Sequence, residues 1–143
     1  MPSTYQSIHV NAPIDTVWEI VSHFHDMSWS PNVVSSCESV GDVHAKKPGA
    51  KRILNEAFHE TLHDVVTDQH IVRYSIDDGP SPVSADEVTN YIGEIHLVPV
   101  TMSNTTVVEW RSTWESTSDD AVTFCSGIYS ALLNDLAATL SET

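Results

Sequence analysis

Positive charge is scarce in this sequence. Six Lys and Arg among 143 residues face 20 Asp and Glu, a formal net charge of −14. Nucleic acid and anionic membrane surfaces are both recognised through a basic footprint, so neither is expected as a partner. Cysteine is almost as rare. Cys37 and Cys125 are the two in the chain; they form no secreted disulfide framework, and two free buried thiols are expected. No apolar run reaches the roughly 18 residues of a membrane span, and the N-terminal stretch Met1 to Gln6 carries neither a basic segment nor an apolar one, so no signal peptide or membrane insertion is expected. With nothing directing the chain elsewhere, the expectation is a cytoplasmic protein. A phosphate-binding loop, a dinucleotide glycine fingerprint and a nucleophile elbow are also missing, which argues against nucleotide hydrolysis and hydride transfer.

What is present is globular. Hydrophobic residues make up 41% and charged residues 18%, enough to bury about two-thirds of the chain surface without disulfide or metal staples. The length suits one domain spanning 1–143. Residues 4–10 alternate and read as a strand. Pro13 opens a helix in which Ile14, Val17, Trp18 and Val21 form one apolar face, ending near residues 23–26. Trp29-Ser30-Pro31 reads as a turn or as a second short helix. Strands are expected over 33–40, 71–76, 87–98 (ended by Pro99) and 105–115. In 71–76, Val72, Tyr74 and Ile76 share one face. In 87–98, Tyr91, Gly93, Ile95 and Leu97 do. In 105–115, Val108, Trp110, Ser112 and Trp114 do. Ser118 is the expected N-cap of a closing helix whose stripe is Phe124, Ile128, Leu132, Leu136 and Leu140. Strands followed by segregated helices indicate an α+β domain.

Residues 50–66 admit two readings. His59-Glu60-Thr61-Leu62-His63 matches the H-E-x-x-H spacing of zinc peptidases, in which a helix sets both His on one face. A strand reading competes. It puts Arg52, Leu54, Phe58, Glu60 and Leu62 on one face and separates the two His by about 13 Å at ~3.3 Å per residue, too far to share a metal. A third ligand at the expected spacing is also missing, since Gln69 stands there. The strand reading is preferred, with no metal; the zinc peptidase stays as a remote alternative.

The ordered set Ala12-Pro13 with Val17-Trp18, Trp29-Ser30-Pro31, Arg52-Ile53-Leu54, Glu60-Thr61-Leu62, Arg73 to Ile76, Gly79 to Val83, Ile95 to Pro99 and Trp110-Arg111-Ser112 resembles the helix-grip superfamily of START domains, polyketide cyclases/dehydrases and birch-pollen-allergen-type proteins. The resemblance implies a curved seven-stranded antiparallel sheet gripping a long C-terminal helix, with two short helices after the first strand and a ligand cavity between sheet and helix. It implies an apolar or aromatic small molecule as partner and no cofactor. The activity would be cyclisation, condensation or dehydration of a polyketide-like or aromatic substrate; the alternative is a non-catalytic carrier or sensor using the same cavity. Three residues are expected to carry catalysis. Glu60 would move a proton, and Arg52 and Tyr74 would stabilise developing negative oxygen. Tyr91, Trp110, Trp114, Phe58, Phe124 and Ile128 are the expected ligand walls, with Trp29 near the entrance. Arg52 and Glu60 are equally readable as a structural ion pair. Oligomeric state is not readable from the residues.

Overall fold

The computed structural model describes residues 2–141. Chain order is β1 (Ser3–Val10), α1 (Ile14–Val21), β2 (Cys37–Val40), β3 (Lys51–Leu54), β4 (Phe58–Val66), β5 (Ile71–Asp78), β6 (Thr89–Val100), β7 (Thr105–Glu115) and α2 (Asp120–Leu140). The strands form one antiparallel sheet in the order β1-β7-β6-β5-β4-β3-β2. Strands β2 to β7 are thus a meander, and β1 pairs with the last of them. Register shifts in β4 at His59/Glu60 and Leu62/Asp64, and between β6 and β7 at Thr89/Ile92, interrupt the ladder. Such bulges bend a strand and sharpen its twist.

The alternation expected along the strands is realised. Val72, Tyr74, Tyr91, Ile95, Leu97, Val108, Trp110 and Trp114 are buried on the inner face. On the outer face Glu94 joins Arg73 and Arg111 in an ion-pair row. The ambiguous stretch resolves into the hairpin β3–β4. Asn55 and Glu56 take positive φ in the connecting turn, and Arg52 pairs in register with Glu60. Arg52, Leu54, Glu60 and Leu62 are all buried, Phe58 partly so. The H-E-x-x-H residues therefore lie on a strand, with His59 and His63 exposed. Among the described residues no group of three His, Cys, Asp or Glu is placed to hold a metal.

Several boundaries differ from expectation. The strand expected over 33–40 shrinks to Cys37–Val40 because Val33 and Val34 turn inward and the Ser35 and Ser36 amides bond Asn55 Oδ1. Pro99 lies inside β6 rather than ending it. The β5–β6 pairing stops at Ile71↔His96, so β5 no longer runs alongside where Pro99 lacks its N–H. Helix α2 begins at Asp120, which makes Asp119 its N-cap; the Ser118 hydroxyl accepts from the Asp120 amide.

One helix, not two, follows β1. Residues 22–36 form turns. Tertiary bonds explain the outcome. Asp135, buried on α2, accepts from Ser30 Oγ (2.9 Å), Asn32 N (3.0 Å) and Asn32 Nδ2 (2.9 Å), and Thr139 Oγ1 donates to the Trp29 carbonyl (2.9 Å). These partners hold the segment against α2 more firmly than one isolated helical turn can hold itself. Burial pushes the Asp135 carboxyl up, but the bonds from Asn32 and Ser30 together outweigh it and hold it below the usual carboxylate value. A lowered folded-state pKa gives stability that is present above the unfolded value, about 3.9, and is lost as pH falls through the folded one. Asp135→Ala should therefore cost about 1–3 kcal/mol at pH 7. Urea unfolding should show that cost shrinking below pH 4; an equal cost at pH 3 would refute the assignment.

Helix α2 is long and apolar enough to cross a membrane by length and composition alone. Here it is the core helix. Ala121, Cys125, Tyr129, Leu132, Leu133, Leu136 and Leu140 are buried. Both cysteines are free thiols, Cys125 buried and Cys37 half-buried.

Candidate functional site: an apolar cavity between sheet and helix

Between α2 and the inner face of β3–β7 lies a cavity of about 280 Å³. Phe58, Phe124 and Ile128 form part of its wall, Phe58 stacking on Phe124 with ring centroids 6.4 Å apart. Met27, Val33, Val34 and Asn55 close it from the loop side. Arg52 and Glu60 are the two charged residues of the lining among the described residues.

Cross-strand neighbours on β3 and β4, these two point to the same face by strand parity. Arg52 Nε and Nη2 both meet Glu60 Oε1, at 2.8 and 2.6 Å. Its Nη1 donates to the Phe24 carbonyl (2.8 Å) and to Met27 Sδ (3.4 Å). The guanidinium lies over the Phe24 ring, 3.9 Å from the centroid, a cation–π contact. Glu60 Oε2 takes no hydrogen bond from the described residues. Burial pushes the Glu60 carboxyl above its ordinary value; Arg52 opposes this by charge and by hydrogen bonding.

The polar part of the floor is a chain of phenols. Trp110 Nε1 donates to the Tyr74 hydroxyl (3.0 Å). Tyr74 bonds the Tyr129 hydroxyl (2.9 Å), and Tyr129 bonds that of Tyr91. Tyr91 in turn donates to Ser112 Oγ (3.0 Å). Trp110 also stacks on Tyr129 at 4.9 Å. Burial, followed by the proximity of the other phenols, pushes all three hydroxyls well above the usual tyrosine pKa. They are neutral donors and acceptors at any ordinary pH.

The position of Tyr74 depends on an absent side chain. Gly93 is its register partner on β6. A Cβ at Gly93 would sit 2.4 Å from Tyr74 Cζ and 2.6 Å from its hydroxyl. The ring lies flat across this glycine, which sets the height of its hydroxyl. Gly93→Ala should cost about 1–3 kcal/mol, as overpacking does, and should disturb the Trp110 indole N–H resonance through the lost Tyr74 bond. A stable variant with an unshifted indole signal would overturn this account.

Eight of the ten residues expected at the site line the cavity: Arg52, Glu60, Tyr74, Tyr91, Trp110, Phe58, Phe124 and Ile128. Two do not. Trp114 is wholly buried behind the wall and stacks on Tyr91 at 5.3 Å. Trp29 packs behind Trp110 at 6.4 Å and is buried rather than at an entrance. Tyr129, the hub of the phenol chain, went unmarked in the sequence, as did Met27, Val33 and Asn55. Tyr129 falls one position beyond Ile128 in the expected stripe, and the signal that finds it is the Ala121, Cys125, Tyr129, Leu133 spacing of four. The loop residues carry no periodic signal.

Solved structures with the same fold were found in number. A protein of Nitrosospira multiformis is 45% identical, with a TM-score of 0.96, covering 99% of this chain and 97% of its own. The protein XoxI of Bacillus cereus is 26% identical, with a TM-score of 0.81 and the same coverage of both chains. The major latex-like protein 151 of Panax ginseng shares the fold (TM-score 0.79, 96% of each chain) at 13% identity. Among the curated proteins nothing matches. Residues 1–141 match the family model described as polyketide cyclase / dehydrase and lipid transport. Helix-grip architecture, an apolar cavity under the C-terminal helix and a family match over almost the whole length agree, and the chain belongs to the polyketide cyclase/dehydrase and lipid transport family, as a ligand-binding protein of helix-grip type.

Proposed function

We propose that residues 1–143, acting as one helix-grip domain, bind an apolar or aromatic small molecule in the cavity and that Glu60 moves a proton on it. That step would begin a cofactor-free cyclisation, condensation or dehydration of a polyketide-like or aromatic substrate. The observation that carries the reading is that, among the described residues, a single ion pair is set into an otherwise uncharged wall and one of its carboxylate oxygens has no partner. Burial raises the Glu60 pKa, which makes the carboxylate a stronger base than one in water. A volume of about 280 Å³ lies just below the roughly 300–1,000 Å³ typical of ligand pockets, which favours one or two rings over a long acyl chain.

A carrier is the second reading, and one observation favours it. Arg52 spends its donors on Glu60, Phe24 and Met27, as a structural strap would. One probe separates the two. A bicyclic ketone such as 2-tetralone has C–H bonds acidified by the carbonyl. Its binding can be followed by quenching of tryptophan emission, and its proton transfer by deuterium uptake from D₂O. Uptake faster than in buffer supports catalysis. Saturable binding with uptake at the buffer rate supports the carrier. Failure of any small aromatic to bind would overturn both.

A further inference from the structure

The hydroxyl hydrogens of the cavity floor can be counted. The Trp110 indole N–H is a donor only. Tyr91 is the donor toward Ser112 Oγ (3.0 Å) and, at longer range, Cys125 Sγ (3.6 Å); with its single hydrogen committed to that side, Tyr129 donates to Tyr91 and Tyr74 donates to Tyr129. The chain runs one way, from Trp110 through Tyr74, Tyr129 and Tyr91 to Ser112, and leaves no phenol hydrogen for a ligand. Oxygen lone pairs remain. The ion pair has the same polarity. Both Arg52 contacts fall on Glu60 Oε1, and Oε2 has no partner among the described residues and stays an acceptor of the carboxylate. The donors left over are weaker: one Nη2 hydrogen of Arg52, whose charge Glu60 already balances, one amide hydrogen of Asn55, whose other hydrogen goes to the Val33 carbonyl (2.9 Å), and the S–H of the free Cys125 thiol, a weak donor. An anionic group entering this cavity would find no uncompensated positive charge.

We infer that the cavity selects small aromatic molecules bearing a neutral hydrogen-bond donor, a phenol-type hydroxyl or an N–H, and discriminates against aromatic carboxylates and against ethers of the same shape. This rests on the reading of the cavity as the ligand site and adds to it the chemical class of the ligand. The donor would meet Glu60 Oε2, an arrangement in which the hydrogen bond is charge-assisted and roughly twice as strong as a neutral one.

Four probes of one shape test it: naphthalene, 2-naphthol, 2-methoxynaphthalene and 2-naphthoate, titrated into the full chain by calorimetry. The expected order places 2-naphthol about tenfold or more tighter than 2-methoxynaphthalene, with 2-naphthoate weakest. In Glu60→Gln, Arg52 would hold the amide oxygen, and the amide nitrogen would replace Oε2. The free atom turns from acceptor to donor, and the naphthol preference should vanish or reverse. A merely structural role would weaken all probes alike. Tyr129→Phe supplies a second arm that does not depend on Glu60→Gln folding. It releases the Tyr74 hydrogen into the cavity, so 2-methoxynaphthalene should gain relative to 2-naphthol. If naphthalene and the ether bind as tightly as the naphthol, or the naphthoate binds best, the donor inference falls while the cavity reading stands. If none of the four binds, the cavity reading falls and takes the inference with it.

Discussion

Glu60→Gln should lower deuterium uptake into bound 2-tetralone by about 10²–10⁴-fold, the usual contribution of a positioned general base. In the step under test Glu60 Oε2 takes a proton from the carbon next to the carbonyl. The C–H electron pair stays on the ligand as an enolate, and a deuteron from solvent then returns to that carbon. Gln keeps the size of Glu and can still accept from Arg52, so the β3–β4 pairing and the cavity shape should survive. The base is removed together with the negative charge that balances the buried Arg52, so some stability is lost as well and uptake is compared per folded molecule. Near-ultraviolet circular dichroism and the tryptophan quench report whether fold and binding persist. Uptake that is fast in the wild type and unchanged in the folded variant would eliminate Glu60 as the base. Uptake equal to buffer in both would leave a carrier.

Arg52→Leu should be the most damaging single change to stability, costing about 3–5 kcal/mol at neutral pH. Removing one partner of a buried ion pair leaves the other charge in the interior without compensation. Arg52 and Glu60 are each about 5% exposed, so water cannot replace the lost partner cheaply. The packing of the guanidinium on Phe24 is lost as well. The pH dependence follows from the sign. Burial raises the Glu60 pKa even beside Arg52, and without Arg52 it must rise further. A raised folded-state pKa gives stability that is fully present below the unfolded value, about 4.3, and is lost as pH rises through the folded one. Urea titrations of Arg52→Leu should therefore show the deficit largest at pH 7 and shrinking as pH falls toward the unfolded value, because Glu60 in the folded variant takes up its proton before that value is reached. A deficit under ~1 kcal/mol at pH 7 would mean the pair contributes little more than an exposed one.

The two experiments bear on different roles of one pair. Arg52 neutralises and positions Glu60; in the proposed function Glu60 is the residue that meets the ligand. A fold that needs the pair for stability and a cavity that uses its free oxygen for chemistry are compatible, because the two roles use different oxygens of the carboxylate.

Local residue patterns determined much of this protein. Period-two alternation identified the inner faces of β5, β6 and β7, and strand parity put Arg52 and Glu60 on one face, although the turn at Asn55 and Glu56 that makes the stretch a hairpin was not read from the residues. A strand allows only two directions for a side chain, so parity is a strong constraint. It favoured a strand over the zinc helix, and a strand is what forms: His59 and His63 sit exposed on β4, without the helical face that the motif needs. The tertiary structure decided what depends on distance along the chain. Residues 22–36 are turns because Asp135 and Thr139, more than 100 residues away, bond them. Trp114 and Trp29 lie behind the wall rather than in it, since the alternation that buries a tryptophan does not say how deep it sits. Tyr129 became the hub of the floor only once α2 was docked against β5, β6 and β7, bringing four side chains from four elements within hydrogen-bond range. No sequence period encodes such a meeting, because the two bonds of Tyr129 join residues whose separation is set by the docking of helix on sheet, and the Trp110–Tyr74 bond joins strands that are not adjacent in the chain.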